Sequence, residues 1–123
     1  MTAGIELLLA AMVMVESGGD RNAVGDGGKS IGPLQIQEPY FKDAMEQLTR
    51  EERWASKSLK YEDVKNPVLA KLIVRAYWRR YVPDALKAGD LEVLARTHNG
   101  GPRGASKKAT LGYWDKVKKA MEP

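Results

Sequence analysis

A chain of 123 residues has room for one hydrophobic core, and 43% hydrophobic with 29% charged residues is the composition of a folded globular protein. One histidine and no cysteine exclude a disulfide framework, a thiolate nucleophile, a zinc–thiolate site and a multi-histidine metal site. A net charge of +4 suits approach to a polyanion such as nucleic acid, an anionic membrane or a bacterial wall, and equally suits an ordinary solvated surface.

In chain order, Ile5, Leu8, Leu9, Met12 and Val13 recur at helical spacing, and Glu16 continues the same stripe. The apolar run from Ile5 to Val15 is far short of the ~20 residues of a spanning helix. Glu6 stands where a signal peptide would carry a basic residue, so the segment reads as a core helix with no signal peptide evident and no membrane insertion. Gly18 and Gly19 stop it. Glu16 is thus predicted at a helix C-terminus on the buried side, where desolvation and the helix dipole both disfavour its charged form.

Residues 20–36 are glycine-rich and contain "AVG" and "IGPLQI", which predicts a loop or a small irregular β-hairpin. "EPYFKDAMEQL" opens a helix with Pro39 early, and "TREERWAS" starts a short charged helix with a Thr49–Glu52 capping box. "KSLKYEDVK" reads as a turn or short helical piece. "NPVLAKLIVRAYWRRYV" is the longest helical signal, capped by Asn66, opened by Pro67 and stopped near Pro83. Asp90 caps "LEVLARTH", which "NGGPRG" is expected to break, and a last helix runs from about Thr110 through Tyr113, Trp114 and Val117. No repeat or linker interrupts the chain. The expectation is one domain over residues 1–123, α+β but mainly α, with one irregular β excursion after the first helix.

The chemistry sits at that excursion. Cleaving an acetal needs a carboxyl kept neutral as proton donor, a role that fits Glu16 on an apolar face. It also needs an ionised carboxylate to attack or stabilise the cationic centre, which fits Asp26 among Gly25, Gly27 and Gly28. Spacing alone leaves the pair open, because a Glu before Gly-Gly and an Asp-Gly turn are common. Asp20, four residues after Glu16, reads as a turn or cap residue. His98 could orient a carboxylate or bind substrate, or could cap and pack beside "NGG". Asn99 could bind an N-acetyl group or open the turn as a left-handed residue. Tyr40, Tyr77 and Tyr113 could stack on sugars, whereas Trp78 and Trp114 read as core. Arg79, Arg80, Arg96, Arg103, Lys107 and Lys108 form either a cationic rim or a solvated surface. They make no dense block or recognition motif for nucleic acid.

The words "ESG", "GPLQIQEPYF" and "ARTHNGGPRG" with "TLGYWDKV" together resemble the invertebrate-type lysozymes, the destabilase-related family, from about Met14 to Val117. The "ESG…GPxQI" half is shared with goose-type lysozymes and soluble lytic transglycosylases; "HNGGPRG" followed by "GYW" is more specific. The resemblance implies a lysozyme-like fold and a muramidase cleaving the β-1,4 bond of peptidoglycan between N-acetylmuramic acid and N-acetylglucosamine. It gives Glu16 the part of general acid/base and Asp26 that of nucleophile, with the loop before the Gly-Pro about one residue shorter than in the family. Ser30 and Gln35 match positions framing the cleft, His98 and Asn99 match a segment facing it, and Tyr40 joins them as substrate-binding. No metal or cofactor is implied, the partner is peptidoglycan, and a monomer is expected. The place of action is the bacterial wall, reached in the periplasm, outside the cell or by phage delivery. Animal members are rich in disulfides, so a cysteine-free chain points to a bacterial or phage relative. Two alternatives stay open, a lytic transglycosylase using Glu16 alone and an inactive wall-binding module. Lys29 next to Ser30 gives no ground for an isopeptidase site.

Overall fold

The computed structural model describes residues 2–123. Helix α1 (Thr2–Ser17) buries Ile5, Leu8, Leu9 and Met12 of the expected stripe together with Ala11, half-buries Val13, and leaves Leu7 and Met14 on its outer side. It ends where Gly18 takes φ 63° and donates its N–H to the Met14 carbonyl at 3.0 Å, a left-handed stop that suits glycine.

The small irregular β excursion expected after the first helix is a three-stranded antiparallel meander. Strands β1 (Val24–Gly25), β2 (Ser30–Ile31) and β3 (Ile36–Gln37) lie in sequence order. Val24 pairs with Ile31, Gly25 with Ser30, Ser30 with Gln37 and Ile31 with Ile36. Two-residue strands are too short to stand alone, so other elements must hold them. The Ser17 hydroxyl donates to the Pro33 carbonyl at 2.8 Å, and the Tyr61 hydroxyl to the Ile36 carbonyl at 2.6 Å. Leu34 and Ile36 are buried beneath the sheet.

Six further helices follow: α2 (Glu38–Met45), α3 (Ala55–Ser58), α4 (Pro67–Tyr81), α5 (Pro83–Ala88), α6 (Leu91–Gly100) and α7 (Leu111–Met121). Short 3₁₀ turns fill Arg50–Glu52 and Tyr61–Lys65. Asn66 caps α4 by accepting from the N–H groups of Val68 and Leu69 at 2.9 and 3.2 Å. Helix α4 is central and buries Ala70, Ile73, Val74, Ala76, Tyr77 and Trp78. It packs against α2, while α1 packs against α6 and α7. Trp78 is a core residue, and its indole N–H donates to the Leu94 carbonyl at 2.8 Å. With no cysteine, cohesion rests on such side chains, each worth roughly 1.5–3 kcal/mol when fully buried. Among the described residues no helix is long and apolar enough to cross a membrane.

Two elements differ from expectation. Pro83 does not simply end a helix but opens α5, because its missing N–H costs nothing in a first turn. Helix α6 does not break after His98. It runs on through Asn99 and Gly100, and Gly101 donates to the Thr97 carbonyl at 2.9 Å. Asn99 is therefore helical, and it is not among the residues with positive φ.

Candidate active site

The end of α1, the meander, the start of α2 and the last turn of α6 surround a cleft of about 480 Å³. Glu16, Asp26, Ser30, Gln35, Tyr40, His98 and Asn99 all line it, as does Tyr77, whereas Tyr113 is not among the lining residues. Asp20 is not among the lining residues; it accepts from the Asn22 N–H at 2.9 Å in a local turn.

Glu16 sits in the last turn of α1 with its side chain 17% exposed, and its Oε2 lies 3.2 Å from His98 Nε2. His98 Nε2 is also 3.0 Å from the Leu34 carbonyl, and its Nδ1 is 2.8 Å from the Tyr40 hydroxyl. A carbonyl can only accept, so Nε2 carries a hydrogen. In the neutral imidazole, Nδ1 then accepts from Tyr40. Burial, then Tyr77 and Glu16 nearby, hold the Tyr40 phenol well above the usual tyrosine range, so it keeps the proton it donates. The Tyr40 ring stacks on Tyr77 with centroids 3.7 Å apart and planes 8° from parallel.

Asp26 begins a 3₁₀ turn on the exposed loop between β1 and β2, and its Oδ2 accepts from the buried Ser30 hydroxyl at 2.5 Å. Gln37 Nε2 lies 3.4 Å from the same Ser30 oxygen. Gln35 donates from Nε2 to the carbonyls of Ala23 and Gly32 at 3.1 and 3.0 Å, which locks the far turn of the meander. Asp26 (φ 52°) and Gln35 (φ 50°) are the two non-glycine residues at positive φ among those described, and both line the cleft. Such backbone costs about 1–3 kcal/mol per residue and persists where surrounding structure enforces it.

Sequence reasoning missed Gln37 and Asp43 in this wall. Asp43 stands one turn after Tyr40 on α2 and accepts from the Tyr81 hydroxyl at 2.9 Å; the three-residue helical spacing was the available signal. The lining thus holds three carboxylates, Glu16, Asp26 and Asp43, with no lysine or arginine. Among the described residues no three carboxylate or histidine side chains cluster as metal ligands. Of the cations considered for a rim, Arg79, Arg80 and Arg96 pair with Glu52, Glu46 and Glu92 at 2.6, 3.2 and 2.7 Å. Lys107 donates to the Gly100 carbonyl at 2.7 Å, and Arg103 and Lys108 lie on the surface.

The profile of the Destabilase family matches residues 6–120. Invertebrate-type lysozyme 6 of Caenorhabditis elegans is 36% identical over 99 residues, covering 75% of this chain and 67% of that protein. A lysozyme of Meretrix lusoria is 36% identical over 93 residues, covering 76% and 69%. In three dimensions, the crystal structure of Tapes japonica lysozyme superposes with a TM-score of 0.72 at 29% identity, over 93% of this chain and 88% of the other. The inhibitor-bound lysozyme of Meretrix lusoria gives 0.70 at 30% identity over the same shares. The mainly α, lysozyme-like fold with a short antiparallel sheet after its first helix is therefore common to these proteins, and the chain belongs to the destabilase family of invertebrate-type lysozymes.

Proposed function

We propose that this protein is a peptidoglycan glycoside hydrolase that cleaves the β-1,4 bond between N-acetylmuramic acid and N-acetylglucosamine with retention of configuration. Glu16 gives its proton to the glycosidic oxygen as the bond to the anomeric carbon breaks. Asp26 attacks that carbon and forms a glycosyl ester. A water molecule, deprotonated by Glu16, then displaces Asp26 and restores both groups. The observation that carries this reading is the difference between two carboxyls on one cleft. Glu16 is largely buried on a helix end, whereas Asp26 is exposed and hydrogen-bonded by Ser30. Environments that differ in this way separate an acid from a nucleophile. Membership of the lysozyme family supports the same substrate.

Clearing of a peptidoglycan suspension tests it. Glu16→Gln and Asp26→Asn should each lower the rate roughly 100-fold or more. Products should carry reducing ends. Products ending in 1,6-anhydromuramic acid, with Asp26→Asn still active, would replace the hydrolase by a transglycosylase using Glu16 alone. Binding to wall with no sugar released would reduce the protein to a wall-binding module.

A further inference from the structure

Charge is unevenly placed along this chain. Residues 101–123 hold six lysines and arginines against two acids, which is the whole net charge of +4, so residues 1–100 are neutral. Arg103, Lys107, Lys108, Lys116, Lys118 and Lys119 are all exposed on helix α7 and the segment that leads into it. Helices α1 and α6 pack against α7, and their acids are already engaged. Glu6 pairs with Arg75, Glu92 pairs with Arg96, Asp90 caps its own helix and Glu16 faces the cleft.

The fold uses only part of this charge. Lys118 and Lys119 stand in the last turn of α7, where a cation suits the helix dipole. Lys107 and Lys108 stand before the first turn, where a cation opposes the dipole, and no acid in that turn offsets them. Arg103, Lys108 and Lys116 have no ion-pair partner among the described residues. The surface also begins at the cleft. Gly100 and Gly101 line one end of it, and the Lys107 ammonium donates to the Gly100 carbonyl at 2.7 Å. The cleft lining itself has no lysine or arginine. Peptidoglycan is anionic through the carboxylates of the peptide stems on its muramic acid residues, so a strand seated in the cleft must find its countercharge outside it. Resting on the reading of peptidoglycan as the substrate, we propose that this face of α7 and the segment before it form a second wall-binding surface. It takes stem carboxylates and holds the wall at the mouth of the cleft.

Attraction between exposed charges reaches far at low salt and is screened at high salt. The probe is peptidoglycan stripped of phosphodiester polymers, with Glu16→Gln as the background so that the wall stays intact while binding is measured by sedimentation. In that background, Arg103→Gln, Lys108→Gln and Lys116→Gln together should raise Kd roughly tenfold or more at about 10 mM salt, and the difference should vanish near about 1 M. Lys42→Gln, Lys57→Gln and Lys87→Gln remove the same charge from exposed positions elsewhere and should change Kd by less than about twofold. Amidating the wall carboxylates should make the two triple variants alike. With Glu16 restored, the first triple variant should keep its melting temperature and its kcat on soluble stem-free wall oligosaccharides. Equal Kd for the two triple variants overturns the inference, as does binding that disappears with the phosphodiester polymers or that favours duplex DNA over wall. A lowered melting temperature in step with the loss of binding overturns it too, because the cations would then serve the fold. Charge-dependent wall binding by a protein that releases no sugar would overturn the hydrolase reading and support the surface.

Discussion

His98 shows how one backbone atom can order several side chains. The Leu34 carbonyl accepts from Nε2, and that choice makes Nδ1 the acceptor and Tyr40 the donor. Tyr40→Phe would keep the ring that stacks on Tyr77 but leave a buried imidazole nitrogen without its donor. It should destabilise the protein by about 1–3 kcal/mol, read as a lowered urea midpoint, and lower activity as His98 loses its anchor. Removing the Tyr113 hydroxyl should not lower the midpoint, because that oxygen has no partner to lose. Two identical chemical changes are therefore expected to separate in stability. Equal midpoints for the two variants would show that the Tyr40–His98 bond contributes nothing in solution.

At the scale of elements, the segment between α6 and α7 is built on close approach. A Cβ at Gly104 would lie 2.0 Å from the Arg96 carbonyl oxygen, and one at Gly100 would lie 2.5 Å from Thr110 Cγ2. The Thr110 hydroxyl lies 2.7 Å from the Gly104 carbonyl and accepts from Arg96 Nε at 2.8 Å, clasping the end of α6 to the start of α7. Gly104→Ala meets backbone that no rotamer can move aside, so it should cost about 3 kcal/mol or more. Gly112→Ala, which meets open space inside α7, should be neutral or gain up to about 1 kcal/mol. Thermal unfolding of the pair measures the contrast, and similar melting temperatures would refute the packing account. These glycines also show what a sequence can reveal. The Asn66 cap, the buried stripe of α1 and the long α4 were legible because their signals are local and periodic. In sequence Gly100 reads as a helix breaker because its true constraint, Thr110, lies ten positions away. In sequence Pro83 reads only as a stop because the same residue type suits both a helix end and a helix start. In the cleft, Glu16 and Asp26 stood out by chemistry and by resemblance. Asp43 did not, since its place in the wall depends on how α2 docks on α4.

Across the whole molecule, stability without disulfides makes the aromatic groups sensitive to alkali. All five tyrosines have phenols held above their ordinary value of 10.0, chiefly by burial. Tyr77 is pushed up to about 12, with burial the main cause and Tyr81 and Asp43 adding to it. In the unfolded chain these groups ionise near 10, so above that pH the unfolded state has released protons that the folded state still holds. Stability falls with pH wherever the unfolded state binds fewer protons. The contribution from Tyr77 is therefore complete below about pH 10 and is lost as the pH climbs through about 12, and the other raised phenols act in the same direction. Urea midpoints should be level between about pH 8 and 9.5 and decline steeply above about pH 10. Phenolate absorbance for Tyr40, Tyr77 and Tyr113 should grow in step with loss of helical signal, because those rings ionise only when the α2–α4 and α1–α7 contacts open. Lysines also lose charge in this range, but they carry no phenolate signal, so the coincidence of the two curves isolates the tyrosines. A folded protein that ionised all five phenols near pH 10 with its helices intact would mean that these rings are wet, and that Tyr40 is not the dependable donor that His98 needs.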